Sequence, residues 1–295
     1  MIKLSAKSMD IQRRQVIWLF LVPGMAYLIF VRIVPAVFTV LLSFADWTLT
    51  STKGPVFVGM ANYIELFHDV PFLRSIGRTI VFTVAATAIE LVLGFAIAVF
   101  MHREFRGKSV VRAALLAPMV ITPAIVGVIW YILFHDTAGP INWALGLLGI
   151  GPVGWLSDSD IALVSIIITD VWHWTPFVFL LLLSSMQMIP DELYESAEVD
   201  GATGWQATTE ITVPMIRDTL LVAVLLRSMA AFEIFAEPFV MTGGGPADAT
   251  TTISLHIYKS AFLFFKMGYA GAMVVVSILL LLVVFSIYAR MVKFE

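Results

Sequence analysis

The sequence predicts an all-α integral membrane protein with six transmembrane helices. Hydrophobic residues make up 60% of the 295 positions and charged residues 13%, whereas soluble domains have about 45–50% apolar and about 25% charged residues. The mean hydropathy is +0.94. The apolar residues also form runs that are longer than the core of a globular protein requires. Most of the chain is therefore expected to lie in lipid.

Six apolar stretches are long enough to cross a bilayer, which needs roughly 20 residues of helix. They cover residues 16–42, 79–101, 110–134, 161–187, 219–240 and 268–290. The first stretch follows basic residues, as in a secretory signal peptide, but it is too long for one and no small-x-small cleavage site follows. We therefore expect an uncleaved first span. Prolines lie in the third and fourth stretches and near the end of the fifth, which indicates packing inside a bundle, because lipid cannot satisfy the carbonyl that proline frees.

The distribution of Lys and Arg indicates the orientation of the spans. With the N-terminus inside, eleven of the 18 Lys and Arg residues lie in inner segments and five in outer segments, and the loop at residues 135–160 has none. By the positive-inside rule, both termini are cytoplasmic and the loop at 135–160 is external. We expect a cytoplasmic N-terminal segment (1–15), one transmembrane domain (16–290) and a cytoplasmic tail (291–295), in the cell membrane.

One predicted cytoplasmic segment, residues 188–217, is acidic, with six Asp and Glu residues against one Arg. Anionic lipid headgroups do not attract such a segment, so we expect folded structure that meets a protein. Pro190 suits the first turn of a helix, the acidic residues after it suit the positive end of the helix dipole, and Gly201 suits a helix stop. The pattern predicts a short helix, a bend and a second helix across the cytoplasmic face. The alternative is an amphipathic connector without a partner.

The same segment contains the pattern Glu195-Ser196-Ala197-x-x-Asp200-Gly201-Ala202, followed by Ile211-x-Val213-Pro214. This pattern resembles the EAA loop of ABC importer permeases. The resemblance implies a type I ABC importer permease bundle with cytoplasmic coupling helices, in which this coupling loop (188–217) docks in a cleft of an ATP-binding subunit. It also implies which residues form the dock: Glu195, Ala197, Asp200, Gly201 and Ala202. Ser196, Thr208 and Asp218 depart from the usual pattern.

Further stretches resemble the carbohydrate branch of these permeases, of the maltose-transporter and glycerol-phosphate-transporter type. They include Thr242-Gly-Gly-Gly-Pro246 after the fifth span and Lys266-Met-Gly-Tyr-Ala270 at the start of the sixth. The resemblance implies that the chain pairs with a second homologous permease subunit, a dimer of ATP-binding subunits and an extracytoplasmic sugar-binding protein. A sugar would then cross the membrane by alternating access, with ATP and magnesium bound in the partner ATPase subunits.

Ionisable residues within the predicted spans are the candidates for a substrate site, because charges in a membrane face a cavity or a partner. They are Arg32, Glu90, Asp170, His173, Arg227, Glu233 and Glu237. Asp170, His173, Trp174 and Phe177 follow the spacing i, i+3, i+4 and i+7, which places them on one helix face. Carboxylates accept hydrogen bonds from sugar hydroxyls and aromatic rings stack on sugar C–H faces. This face, at a position that the resemblance associates with substrate contact, is a candidate sugar-binding site.

Glu233 and Glu237 are four residues apart on the predicted fifth span, so they are expected to face the same cavity. The alternative is an ion pair across the bundle, between Glu233 or Glu237 and Arg227 or Arg32. Arg32 and Arg227 are interpreted as structural pairs or as side chains that extend to the membrane surface. Glu90 has no pattern nearby and stays unassigned.

Several other functions find no support in the sequence. The chain has no cysteine, no metal-ligand cluster and no basic footprint for nucleic acid. Gly107-Lys108-Ser109 resembles the end of a phosphate-binding loop, but His102 occupies the position of the first glycine. We therefore expect a non-catalytic subunit that binds no cofactor, and neither a membrane enzyme nor a scaffold. An ion-coupled secondary transporter would have inverted repeats and discontinuous helices, which the sequence does not indicate. Glycerol phosphate is an alternative substrate if Arg32 or Arg227 lines the site, but the carboxylates favour a neutral sugar.

Overall fold

The computed structural model describes residues 6–291, so residues 1–5 and 292–295 of the predicted N-terminal segment and tail lie outside the description. Within the described residues, five helices are long and apolar enough to cross a membrane, or six if a bent pair at residues 108–133 is one span. The strands described there form one small antiparallel sheet. The prediction of an all-α membrane protein is confirmed.

The first of two compact units consists of Met1–His68 with Ser260–Val276. Its elements are α1 (Ala6–Leu28), a π-helical turn (Ile29–Ile33), α2 (Val34–Leu42), β1 (Ala45–Asp46), β2 (Val56–Phe57), α3 (Ala61–His68), a π-helical turn (Lys259–Leu263) that begins one residue before the unit, and the start of α15 (Met267–Met291). Asn62 Nδ2 donates to the carbonyls of Ser43 (2.9 Å) and Ala45 (3.0 Å), which fixes the chain after α2. A Cβ at position 268 would overlap the Ala45 carbonyl. Glycine at this position therefore allows the start of α15 to pack closely against the segment that follows α2.

The second compact unit consists of Asp69–Lys259 with Ser277–Glu295. Its elements are α4 (Val70–His102), α5 (Lys108–Val120), α6 (Pro123–Leu133), α7 (Pro140–Leu147), α8 (Ala162–Met186), α9 (Asp191–Val199), α10 (Gly204–Ala207), a π-helical turn (Thr208–Thr212), α11 (Val213–Met215), α12 (Arg217–Phe232), α13 (Ala236–Met241), α14 (Ile253–Tyr258) and the end of α15. Helices α4 and α8 pack along each other. Gly94 permits their close approach, because a Cβ there would lie 2.7 Å from Val178 Cγ1.

Two predicted spans are interrupted, so the expectation of uninterrupted helices is wrong. In the third, α5 and α6 meet at 101°. Pro123 begins α6 and keeps Thr122 extended, because a residue before proline disfavours the helical conformation. In the fifth, α12 ends at Phe232 and α13 begins at Ala236. The second span begins at Val70, nine residues before the predicted start at residue 79.

Candidate functional site

Three charged side chains form a buried ion-pair cluster between α4, α8 and α12. Arg227 Nη2 donates to Glu90 Oε1 and to Asp170 Oδ2, each at 2.7 Å, and Arg227 Nε donates to Glu90 Oε2. Glu90, Asp170 and Arg227 are each at most 2% exposed. Buried charges are stable only when they are paired and hydrogen-bonded. The ion-pair cluster therefore joins three spans through charge-assisted hydrogen bonds.

This cluster differs from the pairing that the sequence suggested. Arg227 does form a structural pair, but with Glu90 and Asp170 rather than with Glu233 or Glu237. It does not extend to the membrane surface, because it is almost fully buried. Asp170, expected to accept hydrogen bonds from a sugar, is bound through Oδ2 by Arg227. The sequence pattern gave Glu90 no assignment. A charge deep in a span needs a partner, and this rule would have suggested Arg227 as the partner of Glu90.

His173 stabilises the break in the third span. Its Nε2 lies 3.0 Å from the carbonyl oxygen of Ile121, which ends α5 at the bend. Because a carbonyl only accepts hydrogen bonds, Nε2 carries the hydrogen. The other ring nitrogen, Nδ1, lies 3.5 Å from Oε1 of Glu237, which is also buried. His173 thus satisfies a carbonyl at the interruption, as an irregular backbone within a membrane requires.

The predicted face of α8 is divided between two environments. Asp170 and His173 are buried, whereas Trp174 and Phe177 are partly exposed. The Arg227 guanidinium carbon lies 5.2 Å from the centre of the Trp174 ring, and the rings of Trp174 and Phe177 meet edge to face at 6.4 Å. The Trp174 ring thus borders the ion-pair cluster, and the Phe177 ring packs against Trp174 on the same helix.

Glu233 and Glu237 do not share a helix face as the sequence suggested. The interruption between α12 and α13 separates them, so the i, i+4 relation does not apply. Glu233 is exposed and Glu237 is 3% exposed. Glu233 remains accessible to a ligand, whereas Glu237 belongs to the interior next to His173.

The coupling loop contains the predicted helix, bend and second helical stretch. Helix α9 covers Asp191–Val199, and Gly201 follows with φ +81°. The N–H of Gly201 donates to the Glu198 carbonyl (3.0 Å) and the N–H of Ala202 to the Ala197 carbonyl (2.9 Å). This is the Schellman ending of a helix, which glycine favours because its φ is positive. Three of the five predicted docking residues, Ala197, Gly201 and Ala202, therefore build the bend.

The coupling loop is tied to the spans on one side and exposed on the other. Tyr194 Oη and Thr212 Oγ1 form a hydrogen bond of 2.9 Å that joins α9 to the second stretch, and Ile189 and Ile216 are buried against the end of α8. Large apolar side chains nevertheless face outward: Val199 is 88% exposed and Trp205 is 75% exposed. Exposed apolar side chains on a firmly attached segment are typical of a protein-binding surface.

Comparison with known proteins gives one family and a set of curated relatives. The model of the family "Binding-protein-dependent transport system inner membrane component" matches residues 90–294. The "Trehalose/maltose transport system permease protein MalF" of Thermococcus litoralis is 34% identical over 94% of this chain and 94% of its own length. The "Trehalose transport system permease protein SugA" of Mycobacterium tuberculosis is 31% identical over 88% of this chain and 82% of its own length.

The fold also resembles that of a solved transporter. A chain of a bacterial ABC transporter involved in the import of the acidic polysaccharide alginate superposes with a TM-score of 0.83, over 98% of this chain and 100% of that one. The two sequences are 22% identical, so this likeness concerns the fold alone.

Proposed function

The chain belongs to the family of binding-protein-dependent transport system inner membrane components, and from this premise we propose that it is the permease subunit of an ATP-binding-cassette importer for a sugar. The named relatives support a sugar, since they are permease proteins of trehalose/maltose and trehalose transport systems. The subunit itself is non-catalytic. ATP and magnesium bind in separate ATPase subunits, whose closure moves the coupling loop.

The coupling loop is the observation that carries this proposal. Its bend is fixed by the Schellman hydrogen bonds, and its inner side is anchored on the spans. Because the attachment is rigid, a displacement of α9 by a bound protein moves α8 and α12 with it. The proposed contacts with the ATP-binding subunit are Glu195, Ala197, Asp200, Gly201 and Ala202.

The remaining subunits and the orientation follow from the same proposal. Both termini and the coupling loop lie in the cytoplasm, and the loop at residues 135–160 lies outside. A second homologous permease subunit completes the path for the sugar, and an extracytoplasmic sugar-binding protein delivers it. Six helical spans cross the cell membrane, with the bent pair α5–α6 counted as the third.

The sugar is proposed to contact Trp174, Phe177 and Glu233, the predicted site residues that are not buried. Trp174 and Phe177 provide stacking surfaces and Glu233 provides a hydrogen-bond acceptor. Asp170, His173 and Glu237 are buried, and their proposed role is to position the site. Arg227 binds two carboxylates and is almost fully buried, so it is not free to bind the phosphate of glycerol phosphate. A neutral sugar is therefore preferred.

Uptake by the assembled transporter tests this proposal. Proteoliposomes that contain both permeases, the ATPase subunits and the binding protein should accumulate trehalose or maltose only when ATP reaches the ATPase side. Uptake without ATP that collapses when an uncoupler is added would contradict the proposal and favour an ion-coupled transporter.

Variants then test the proposed sugar contacts. Trp174→Ala and Glu233→Ala should each reduce uptake at least about tenfold, a loss of about 1.4 kcal/mol, while the complex still assembles. The matched control is Glu65→Ala, because Glu65 is also an exposed carboxylate. Normal uptake by both site variants would refute the contacts and leave the transporter class standing.

A further inference from the structure

A cavity lies in the loop between α6 and α8. It has a volume of about 550 Å³ and is lined by residues between Asp136 and Gly154, none of which belongs to the site described above. Small-molecule sites measure about 300–1,000 Å³. The cavity is thus large enough for a mono- or disaccharide.

The walls of this cavity are fixed by one buried side chain. Asn142 Nδ2 donates to the carbonyls of Asp136 (2.8 Å) and Val153 (2.9 Å). Its Oδ1 accepts from the Val153 N–H (3.1 Å) and from Trp155 Nε1 (2.9 Å). These four bonds use both amide hydrogens and both lone pairs of the side chain. Asn142 therefore holds the loop in shape and has no capacity left for a ligand.

Other groups of the lining are free to bind one. The Asp136 side chain is partly exposed on the cavity lining, and no described residue donates a hydrogen bond to its carboxylate. The carboxylate can therefore accept a hydrogen bond from a ligand in the cavity. On the same lining, Trp143 is 69% exposed, and its indole offers a flat apolar surface.

The combination of these groups selects the chemistry of the ligand. A sugar hydroxyl can donate to Asp136, with the strength of a charge-assisted hydrogen bond, while a C–H face of the same ring stacks on Trp143. Ile150 and Pro152 complete an apolar wall. Residues 135–160 contain no Lys or Arg, so an anionic ligand would find a carboxylate and no counter-charge.

We propose that this cavity is an outer sugar-binding subsite, in which Asp136 and Trp143 hold a neutral sugar before it enters the membrane path. The inference rests on the proposed function, because that function places the loop outside and supplies the sugar. The outer subsite would raise the local concentration of substrate released by the binding protein. Its loss should therefore raise the KM of uptake and leave the ATPase rate without sugar unchanged.

A thiol placed in the outer subsite gives a local test. The chain has no cysteine, so Thr137→Cys creates a single thiol on the cavity lining, and Ser159→Cys creates a control on the same loop outside it. In the full chain purified in detergent, trehalose and maltose serve as probes. Either sugar should slow maleimide labelling of Thr137→Cys at least about fivefold and leave labelling of Ser159→Cys unchanged. Equal labelling of Thr137→Cys with and without both sugars would overturn the subsite.

Second substitutions identify the residues responsible. Adding Asp136→Asn or Trp143→Ala to Thr137→Cys should remove the protection. Adding Asp160→Asn or Trp205→Ala, which change an exposed Asp and an exposed Trp elsewhere, should preserve it. Protection that survives Asp136→Asn and Trp143→Ala refutes the assignment of these residues.

Two further outcomes separate this inference from the proposed function. ATP-driven uptake by the unmodified transporter without protection of Thr137→Cys overturns the outer subsite alone, whereas an absence of ATP-driven uptake overturns the proposed function. If Asp136→Asn and Trp143→Ala weaken only the capture of the sugar-binding protein, the loop is a protein contact and the subsite is refuted.

Discussion

Removing Arg227 should destabilise the protein more than any single change on its surface. Arg227→Met deletes three charge-assisted hydrogen bonds and leaves Glu90 and Asp170 buried without a counter-charge. Methionine fills much of the same volume, so the packing of α12 against α4 and α8 is largely preserved. The change therefore reports on the charge rather than on a cavity.

The expected cost follows from the fate of the two carboxylates. Three hydrogen bonds to charged groups, at about 1.5–3 kcal/mol each, would sum to about 5–9 kcal/mol. That sum is an upper limit, because each carboxylate can take up a proton instead of staying charged. Breaking a buried ion pair typically costs about 3–5 kcal/mol, which is the range we expect. Replacing all three residues should cost less, because no charge is then left unpaired.

Thermal inactivation of the purified chain in detergent, followed by size-exclusion chromatography, measures this cost. If about 2 kcal/mol of this cost lowers the barrier to unfolding, the half-life shortens about 30-fold, because each decrease of about 1.4 kcal/mol in the barrier raises the unfolding rate tenfold. Arg217→Met on the same helix is the matched control, because Arg217 is exposed. The combination Glu90→Gln, Asp170→Asn and Arg227→Met should recover most of the lost half-life. A half-life of Arg227→Met equal to that of Arg217→Met would refute the importance of the ion-pair cluster.

Three further predictions concern the break in the third span, the bend of the coupling loop and the partly buried His256. His173→Phe leaves the Ile121 carbonyl without a donor, so the free energy of unfolding should fall by about 1–3 kcal/mol; an unchanged half-life in the same assay would contradict this role. Gly201→Asp places a residue that has a Cβ at φ +81°, at a cost of roughly 1–2 kcal/mol, and adds a charge to the bend. It should abolish stimulation of the ATPase by sugar while membrane insertion is retained, and normal stimulation would contradict the coupling role. Burial lowers the pKa of His256 below its ordinary value of 6.5, so the folded state favours the neutral ring. The resulting stability is complete above pH 6.5 and decreases as the pH falls below it, because the unfolded chain then binds the proton first. His256→Gln should flatten this pH dependence of the half-life, and an identical profile in both proteins would refute it.

The sequence predicted the features that depend on local pattern. Long apolar runs located the spans, because crossing a bilayer requires a minimum length of apolar helix. The helix, bend and second helix of the coupling loop were also foreseen. There, Pro190 precedes α9 and Gly201 ends it, and both act through their own backbone geometry.

Features that depend on partners far apart in sequence were not foreseen. Glu90 and Arg227 are 137 residues apart, and no local periodicity connects them. The interruption before Ala236 was also missed, and with it the different environments of Glu233 and Glu237. The high average hydropathy of residues 219–240 gave no sign of this break, since hydropathy reports the solvent and not the continuity of a helix.

Cross-linking at Val199 tests the central claim, that the coupling loop connects this membrane subunit to an ATP-hydrolysing partner. Val199 is 88% exposed at the end of α9, and Val199→Cys provides the chain's single thiol. In membranes that contain the assembled transporter, a thiol-reactive cross-linker should join Val199→Cys to the ATP-binding subunit, and a membrane-impermeant maleimide added outside intact cells should not label it. External labelling of Val199→Cys, together with no cross-link to an ATP-binding subunit, would contradict the account.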